Sequence, residues 1–240
     1  MIVEVCANSL ESALIAERAG ADRIELCSEL AVGGITPSYG VLQQVREAVS
    51  IPVHVLIRPR SGDFTYSEAE FETMCLDIAH CVTMGFDGIV AGVLQDNFFL
   101  DQTRMRQLLS LKGGLHFTFH RAFDWIPNPM EAYGALEALG VGTLLSSGQA
   151  GSALEGLPLL RKLRDAEGRC TVMPGAGIGS ENARIFLEAG FSALHLSAAT
   201  LFPHLPSAPP IPMNSPRFLS DTHRLLSQES VLRSVVESVK

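Results

Sequence analysis

Short apolar runs recur along the chain, and segments with the amphipathic spacing of helices separate them. The runs are rich in Val, Ile and Leu, which is typical of buried parallel strands. Eight strands are predicted, at residues 2–7, 23–28, 53–58, 88–93, 115–120, 143–147, 170–175 and 193–198. The clearest helices are predicted at residues 9–19, 67–84, 129–139, 152–166 and 180–189.

Four glycines reveal a repeat in this alternation. Gly20, Gly85, Gly140 and Gly190 each end a helix and precede a turn and a strand, where a left-handed residue belongs. Eight strands alternating with helices predict an α/β fold, a single (β/α)8 or TIM barrel, with residues 1–240 as one domain. An open doubly wound sheet is the alternative, but no glycine-rich fingerprint follows the first strand.

The chain changes character after the eighth strand. Residues 202–216 are rich in proline and cannot form one regular element. We expect a long loop there, followed by a closing helix over residues 217–240.

Composition narrows the classes of partner. The 240 residues carry a formal net charge of −8 and no basic stripe, which disfavours nucleic acid and membrane surfaces as partners. No apolar run reaches the ~20 residues of a membrane helix, and no signal peptide is evident. Five scattered cysteines therefore indicate free thiols in a reducing cytoplasm.

Polar side chains collect where the predicted strands end, which is where the active sites of such barrels lie. Glu4 and Glu25 have the parity of inward positions on neighbouring strands and are candidates for acid–base catalysis. Arg58 and His120 are their expected counterparts. The alternative is a structural ion-pair network inside the barrel.

The fifth strand places Thr118 and His120 on one face and phenylalanines on the other. We expect the polar face to point into the barrel. Asp124 is a further catalytic candidate, which either holds the His120 tautomer or pairs with Arg121. Arg58 and Arg60 would orient an anionic ligand.

The remaining candidates are predicted ligand contacts at the mouth of the barrel. The sequence PGAGIGSEN, residues 174–182, contains Gly175 and Gly177, which would let backbone N–H groups approach a phosphate or carboxylate. A tight turn is the alternative. Other predicted contacts are Thr118, Arg121, Ser147, His195 and Ser197.

Cys6 and Cys27 end adjacent strands, whose backbones run about 5 Å apart. Two thiolates at that spacing suit a soft ion such as Cu(I). A disulfide, or two small buried apolar side chains, are the alternatives. Cys75, Cys81 and Cys170 are interpreted as packing residues.

Several motifs together resemble the CutC copper homeostasis family. They are ADRIELCS, GGITPS, IRPRSGDFTYS, TFHRAFD, SSGQ and MPGAGI, in the family's order between residue 2 and about residue 198. The resemblance implies a (β/α)8 barrel, a cytosolic location and a homo-oligomer, a dimer or a tetramer. It also implies copper homeostasis, with Cu(I) bound by cysteines at the positions of Cys6 and Cys27.

The resemblance has two departures and implies no reaction. Ala193 stands where the family has an acidic residue, and residues 202–216 and the closing helix do not match. Cu(I) handling is the favoured function. The alternatives are a barrel enzyme, an isomerase, lyase or hydrolase acting on a small phosphorylated or carboxylated metabolite, and an oligomeric scaffold. Whether the protein is an enzyme stays open.

Overall fold

A parallel barrel forms the body of the protein. The computed structural model describes residues 1–166, 168–213 and 220–240. Its sheet runs in the order β7-β6-β5-β4-β3-β2-β1-β8, and a parallel bridge between Gly175 and His195 joins β7 to β8. The strands are β1 Ile2–Ala7, β2 Arg23–Leu26, β3 Val53–Leu56, β4 Gly88–Ala91, β5 His116–Phe119, β6 Thr143–Ser146, β7 Thr171–Pro174 and β8 Ala193–Leu196. The predicted (β/α)8 barrel is confirmed.

Helices surround this barrel, and the sequence marks their ends. At α3 the Ser67 hydroxyl accepts from the Glu70 N–H while the Glu70 carboxylate accepts from the Ser67 N–H, a capping box. Gly85 ends the same helix at φ 70°, a conformation that glycine adopts without strain. The helices are α1 Leu10–Arg18, α2 Tyr39–Ala48, α3 Glu68–Met84, α4 Gln102–Leu111, α5 Pro129–Ala138, α6 Leu157–Asp165, α7 Ala183–Glu188 and α8 Glu229–Val239.

The main hydrophobic core lies between the strands and the helices. Phe117 and Phe119 of β5 are buried in it beside the helical residues Met105 and Leu136. The opposite face of β5 therefore points into the barrel, as the alternation of the strand predicts.

The barrel interior holds several histidines because glycines on neighbouring strands make room for them. A Cβ on Gly92 would lie 2.7 Å from the His120 ring, and one on Gly88 would lie 2.5 Å from the His54 ring. These glycines permit close packing of side chains, so imidazoles occupy space that aliphatic residues fill in many barrels.

The segment after β8 differs from its prediction. Strands β9 Ala199–Pro203 and β10 His223–Ser227 pair antiparallel, and Asn8 donates to the Leu225 carbonyl at 3.1 Å. The predicted helix over residues 217–240 is wrong in its first part, because the chain forms β10 before the helix begins at Glu229. The predicted loop over 202–216 and that helix both extend into residues 214–219, which lie outside the described residues.

Among the described residues, no helix is both long and apolar enough to cross a membrane.

The assignment of residues 1–240 to one domain stays a prediction.

Candidate functional site

A cavity of about 960 Å³ opens at the carboxyl ends of the strands. Its wall includes four predicted site residues from the first half of the chain, Cys6, Glu25, Arg58 and His120. From the second half it includes Arg121, Gly177, His195 and Ser197. Apolar side chains such as Leu30, Leu56 and Trp125 complete it. A large, partly apolar cavity with a few converging polar groups is the usual form of a ligand site.

The other predicted site residues lie off the cavity wall. Glu4, Cys27, Thr118 and Ser147 are fully buried, and the Thr118 hydroxyl has no hydrogen-bond partner among the described residues. Arg60, Asp124 and Gly175 also lie outside the lining. The geometry therefore does not favour direct contact between these seven residues and a molecule held in the cavity, although Cys27 lies next to Cys6 of the cavity wall.

Glu4 lies inside the barrel beside one arginine and two histidines, of which His54 is neutral because burial lowers its pKa to about 3. Its Oε2 accepts from Arg23 Nε at 2.5 Å, its Oε1 lies 2.8 Å from His195 Nδ1, and His54 Nδ1 is 3.9 Å away. The expected pairing of the glutamates with Arg58 and His120 is wrong. The counterparts are Arg23 and His195, because these residues directly face Glu4 in the register of the strands.

Burial alone would raise the pKa of Glu4, but the His195 hydrogen bond and the charge of Arg23 outweigh it and lower this pKa to about 2. Burial works against a charged His195, yet Glu25 and Glu4 together raise the pKa of the imidazole. Glu4 is therefore an anion that favours a protonated His195.

Glu25 links this network to the cavity. Its Oε2 lies 3.7 Å from His195 Nδ1, and the Cys6 thiol is directed at its Oε1 at 3.8 Å. Burial raises the pKa of Glu25 to about 7, despite the opposing charge of His195. Glu4 and Glu25 are thus two carboxyl groups whose environments push their pKa values apart, which is a common property of acid–base sites.

The Cys6 and Cys27 sulfurs lie 3.5 Å apart, and both thiols are free. The hydrogen bond to Cys27 and burial raise the pKa of Cys6. Ligand atoms of Cys6, Glu25 and His195 lie within 4.8 Å of one another, a spacing that could hold a metal ion. The structure thus places Glu25 and His195 beside the predicted thiol pair.

The sulfur separation suits an ion with more than two ligands. With metal–sulfur bonds of about 2.3 Å, sulfurs 3.5 Å apart subtend an angle of roughly 100° at a shared ion. That angle is far from the linear arrangement of two ligands and leaves room for a third. The Glu4 carboxylate holds His195 as carboxylates commonly hold metal-binding histidines.

The Arg58 guanidinium is fixed by backbone carbonyls. Nη1 donates to Val32 and Gly34 at 2.9 and 2.8 Å, and Nη2 donates to Gly62 at 2.7 Å. The group also lies 5.0 Å from the centre of the Phe64 ring. Arg58 therefore stays at the cavity wall without a glutamate partner.

Arg60 is not held at the cavity wall as Arg58 is. Its guanidinium pairs with Asp63 of the cavity wall at 3.0 Å and with Glu70 at 2.6 Å, and Arg60 itself does not line the cavity. The expectation that Arg60 orients an anion beside Arg58 is not supported by this placement, because its charge is already matched by two carboxylates.

His120 and Asp124 have different hydrogen-bond partners among the described residues. His120 Nδ1 accepts from the Ala122 N–H at 3.2 Å, whereas Asp124 pairs with Arg121 at 2.8 Å. Of the two predicted roles of Asp124, the Arg121 pair is the one observed. Asp124 also accepts from the hydroxyls of Ser146 and Ser147 at 2.6 and 2.9 Å, which indicates a structural role in the loop after β6.

The loop after β7 divides its two glycines between packing and the cavity. A Cβ on Gly175 would lie 2.5 Å from Leu145, so this glycine is required by packing. Gly177 lines the cavity at φ 68°, and its carbonyl accepts from Asn182 at 2.8 Å. Packing against Leu145 alone accounts for Gly175.

Comparison with known proteins adds the family to this geometry. The sequence profile of the CutC family matches residues 1–200. The chain belongs to the CutC family. A protein of Enterobacter sp. (strain 638), named family protein CutC, is 47% identical over 202 residues, covering 84% of this chain and 82% of that protein. One of Erwinia tasmaniensis with the same name is 49% identical over 82% of this chain and 78% of its own.

Solved structures agree with this assignment. A Streptococcus agalactiae structure, whose name links CutC to copper homeostasis, has a TM-score of 0.77 and 34% identity, covering 82% of this chain and 98% of that one. Thiamine phosphate pyrophosphorylase from Pyrococcus furiosus, at 14% identity and a TM-score of 0.58, covers 99% of this chain and 95% of its own; it shares the fold alone. The family match ends at residue 200, so the tail departs from the CutC family as the sequence predicts.

Sequence reasoning missed Arg23, which neutralises Glu4. The signal was present, because Arg23 precedes Glu25 by two residues and therefore shares its inward parity. Arg23 lies at the start of its strand, however, whereas site residues of such barrels are expected at the carboxyl ends of the strands.

Proposed function

We propose that this CutC family protein binds Cu(I) at the mouth of its barrel through the thiols of Cys6 and Cys27. The observation that carries the proposal is the 3.5 Å separation of two unbonded sulfurs, one near the end of β1 and one directly after β2. Thiolates are preferred ligands of Cu(I). The copper homeostasis named for the related Streptococcus agalactiae structure supports the same ion.

His195 is the third ligand in this proposal, with Glu4 holding its ring. Before the ion enters, the Cys6 thiol donates a hydrogen bond to the neighbouring carboxyl of Glu25 at 3.8 Å. Cu(I) binding must release the thiol protons and one proton of His195, because thiolates and a neutral imidazole are the ligands. We therefore expect Cu(I) affinity to rise with pH.

An anaerobic Cu(I) titration against a competing chelator tests this proposal. Wild type is compared with Cys6→Ser/Cys27→Ser and with Cys75→Ser, a control on α3. One ion per chain, lost in the double variant and retained in the control, is the expected result. Binding that is indifferent to Cys6 and Cys27 would reject the thiol site.

A second candidate function is a barrel enzyme acting on a small phosphorylated or carboxylated metabolite. It is favoured by one observation, the Glu25 carboxyl and the His195 imidazole 3.7 Å apart in the wall of a cavity of metabolite size. This pair could move a proton on a bound substrate. Loss of turnover in Glu25→Gln, with Cu(I) affinity retained, would support it once a substrate is found.

The cytoplasmic location and the homo-oligomer, a dimer or a tetramer, stay predictions from the family. A reducing compartment is consistent with the free thiols. Sedimentation of the purified chain would measure the oligomeric state.

A further inference from the structure

Arg58 is a buried cation without an ion pair among the described residues. The residue is 5% exposed. Three carbonyls accept from both N–H groups of Nη1 and from one of Nη2 but carry no negative charge, and Nε has no acceptor among the described residues. The nearby acidic groups of Tyr66 and Asp63 act on it without forming an ion pair. Burying a charge without an ion pair is costly, so an anion bound at this wall would relieve that cost.

His120 presents a second donor without an acceptor. Because its Nδ1 accepts the Ala122 N–H, a neutral ring carries its proton on Nε2. Nε2 is buried and has no partner among the residues that the structure describes. Burial lowers the pKa of His120 to about 3, which is consistent with a neutral ring that donates from Nε2.

The Phe64 ring brings these donors to one wall of the cavity. Its centre lies 5.0 Å from the Arg58 guanidinium and 4.9 Å from the centre of the His120 ring, and all three residues line the cavity. We propose that the cavity binds a small organic anion, whose carboxylate or phosphate oxygens accept hydrogen bonds from Arg58 and His120. Because Arg58 Nε and His120 Nε2 are buried, the proposal requires the Phe64 ring, which lies against both groups, to move aside when the ligand binds.

The cavity favours an organic anion over a bare ion. Its volume of about 960 Å³ is many times the roughly 30 Å³ that a water molecule occupies in the liquid. Leu30, Leu56 and Ile178 supply apolar wall for a carbon skeleton. Of the carboxylates in the lining, Asp63 is paired with Arg60 at 3.0 Å, and it acts on Arg58 only as a nearby charge without an ion pair.

This inference goes beyond Cu(I) binding and does not depend on it. If the protein is an enzyme, the same donors would hold the anionic end of its substrate. Anion binding and Cu(I) binding separate in one variant, because Cys27→Ser, at a residue off the cavity wall, should lose the ion and keep the anion.

Isothermal titration and thermal shift of metal-free, reduced protein test the anion site. The probes are inorganic phosphate, glycerol 3-phosphate and malonate, so that their ranking separates phosphate from carboxylate recognition. We expect at least one organic probe to bind more tightly than inorganic phosphate. Arg58→Gln and His120→Phe should each weaken it by about tenfold or more, the loss of a hydrogen bond to a charged group.

Arg184→Gln is the charge-matched control, because Arg184 is an exposed residue of α7 that pairs with Glu188. Its affinity for the probe should equal that of wild type. If Arg58→Gln does not fold, Arg58→Lys and His120→Phe decide the question. No binding of any probe at millimolar concentration, or equal binding by the folded variants, would overturn the proposal.

Discussion

Glu4 and His195 meet inside the barrel, where Glu4 Oε1 lies 2.8 Å from His195 Nδ1. Their strands are neighbours, and the two residues are paired in register. Arg23 approaches the other carboxylate oxygen from the opposite neighbouring strand. One buried carboxylate therefore joins β1, β2 and β8 and holds the imidazole that lines the cavity.

Replacing Glu4 by Gln should destabilise the fold strongly. The amide leaves Arg23 with no opposite charge at 2.5 Å, and breaking a buried pair by removing one partner costs about 3–5 kcal/mol. Urea unfolding measures the change. The control Glu188→Gln, in an exposed pair, should cost less than about 1 kcal/mol. A similar small loss for Glu4→Gln would show that the network does not stabilise the barrel.

Glu25 should make stability fall as pH rises through a defined window. The carboxyl titrates near 4.5 when unperturbed and near 7 in the fold. Between these values the folded state binds more protons than the unfolded state, so the free energy of unfolding decreases with pH. The loss of stability that comes from the raised pKa of Glu25 is complete above about pH 7 and absent below about pH 4.5.

Glu25→Gln removes this titration. Relative to wild type, the variant should gain stability steadily as pH rises from about 5 to about 7.5. Urea unfolding of both proteins at several pH values measures the difference, in which other pH effects largely cancel. A difference that stays constant across the window would contradict the raised pKa of Glu25.

Asp124 should matter for the loop after β6 and leave the His120 tautomer unchanged. Its carboxylate accepts from both Ser147 groups, the hydroxyl at 2.9 Å and the N–H at 3.1 Å, and from Arg121. Asp124→Asn should cost about 2 kcal/mol, since bonds to a charged acceptor are weakened. Thermal unfolding measures the loss. In NMR the His120 ring should keep its proton on Nε2, because the Ala122 N–H occupies Nδ1. A change of tautomer would restore the role that the sequence offered for Asp124.

The alternation of strands and helices was predictable because it depends on local patterns. Gly20 and Gly85 lie at positive φ after their helices, and Phe117 is in the outer core, as the periodicity indicates. Parity also predicted that Glu25 and His195 point inward. Such inferences need only the geometry of one strand.

How deep a side chain lies in the barrel, and which residue it pairs with, were not predictable from the alternation of inward and outward positions along a strand. The chain shows which side chains face the axis, but the register of β1 against β2 and β8 decides that Glu4 meets Arg23 and His195. The prediction for the segment after β8 was wrong for a related reason. Residues 223–227 form a strand because they pair with 199–203, a distant partner that no local period reveals.

Gly34 lies against Cys27 of the thiol site. Its φ is +83°, and a Cβ there would lie 2.7 Å from Leu56 Cδ2 and 3.2 Å from Cys27 Cβ. Gly34→Ala should therefore destabilise the protein by about 1–3 kcal/mol through backbone strain. It should also displace Cys27 and lower Cu(I) affinity by about tenfold.

Gly114→Ala is the matched control, because a Cβ there has open space within 4 Å. Its stability and its Cu(I) affinity should equal those of wild type, as for most surface substitutions. Urea unfolding and the chelator titration measure both quantities for each variant. If Gly34→Ala loses stability but binds Cu(I) as wild type does, the position of Cys27 does not determine the affinity, and Cys6 with His195 would have to hold the ion.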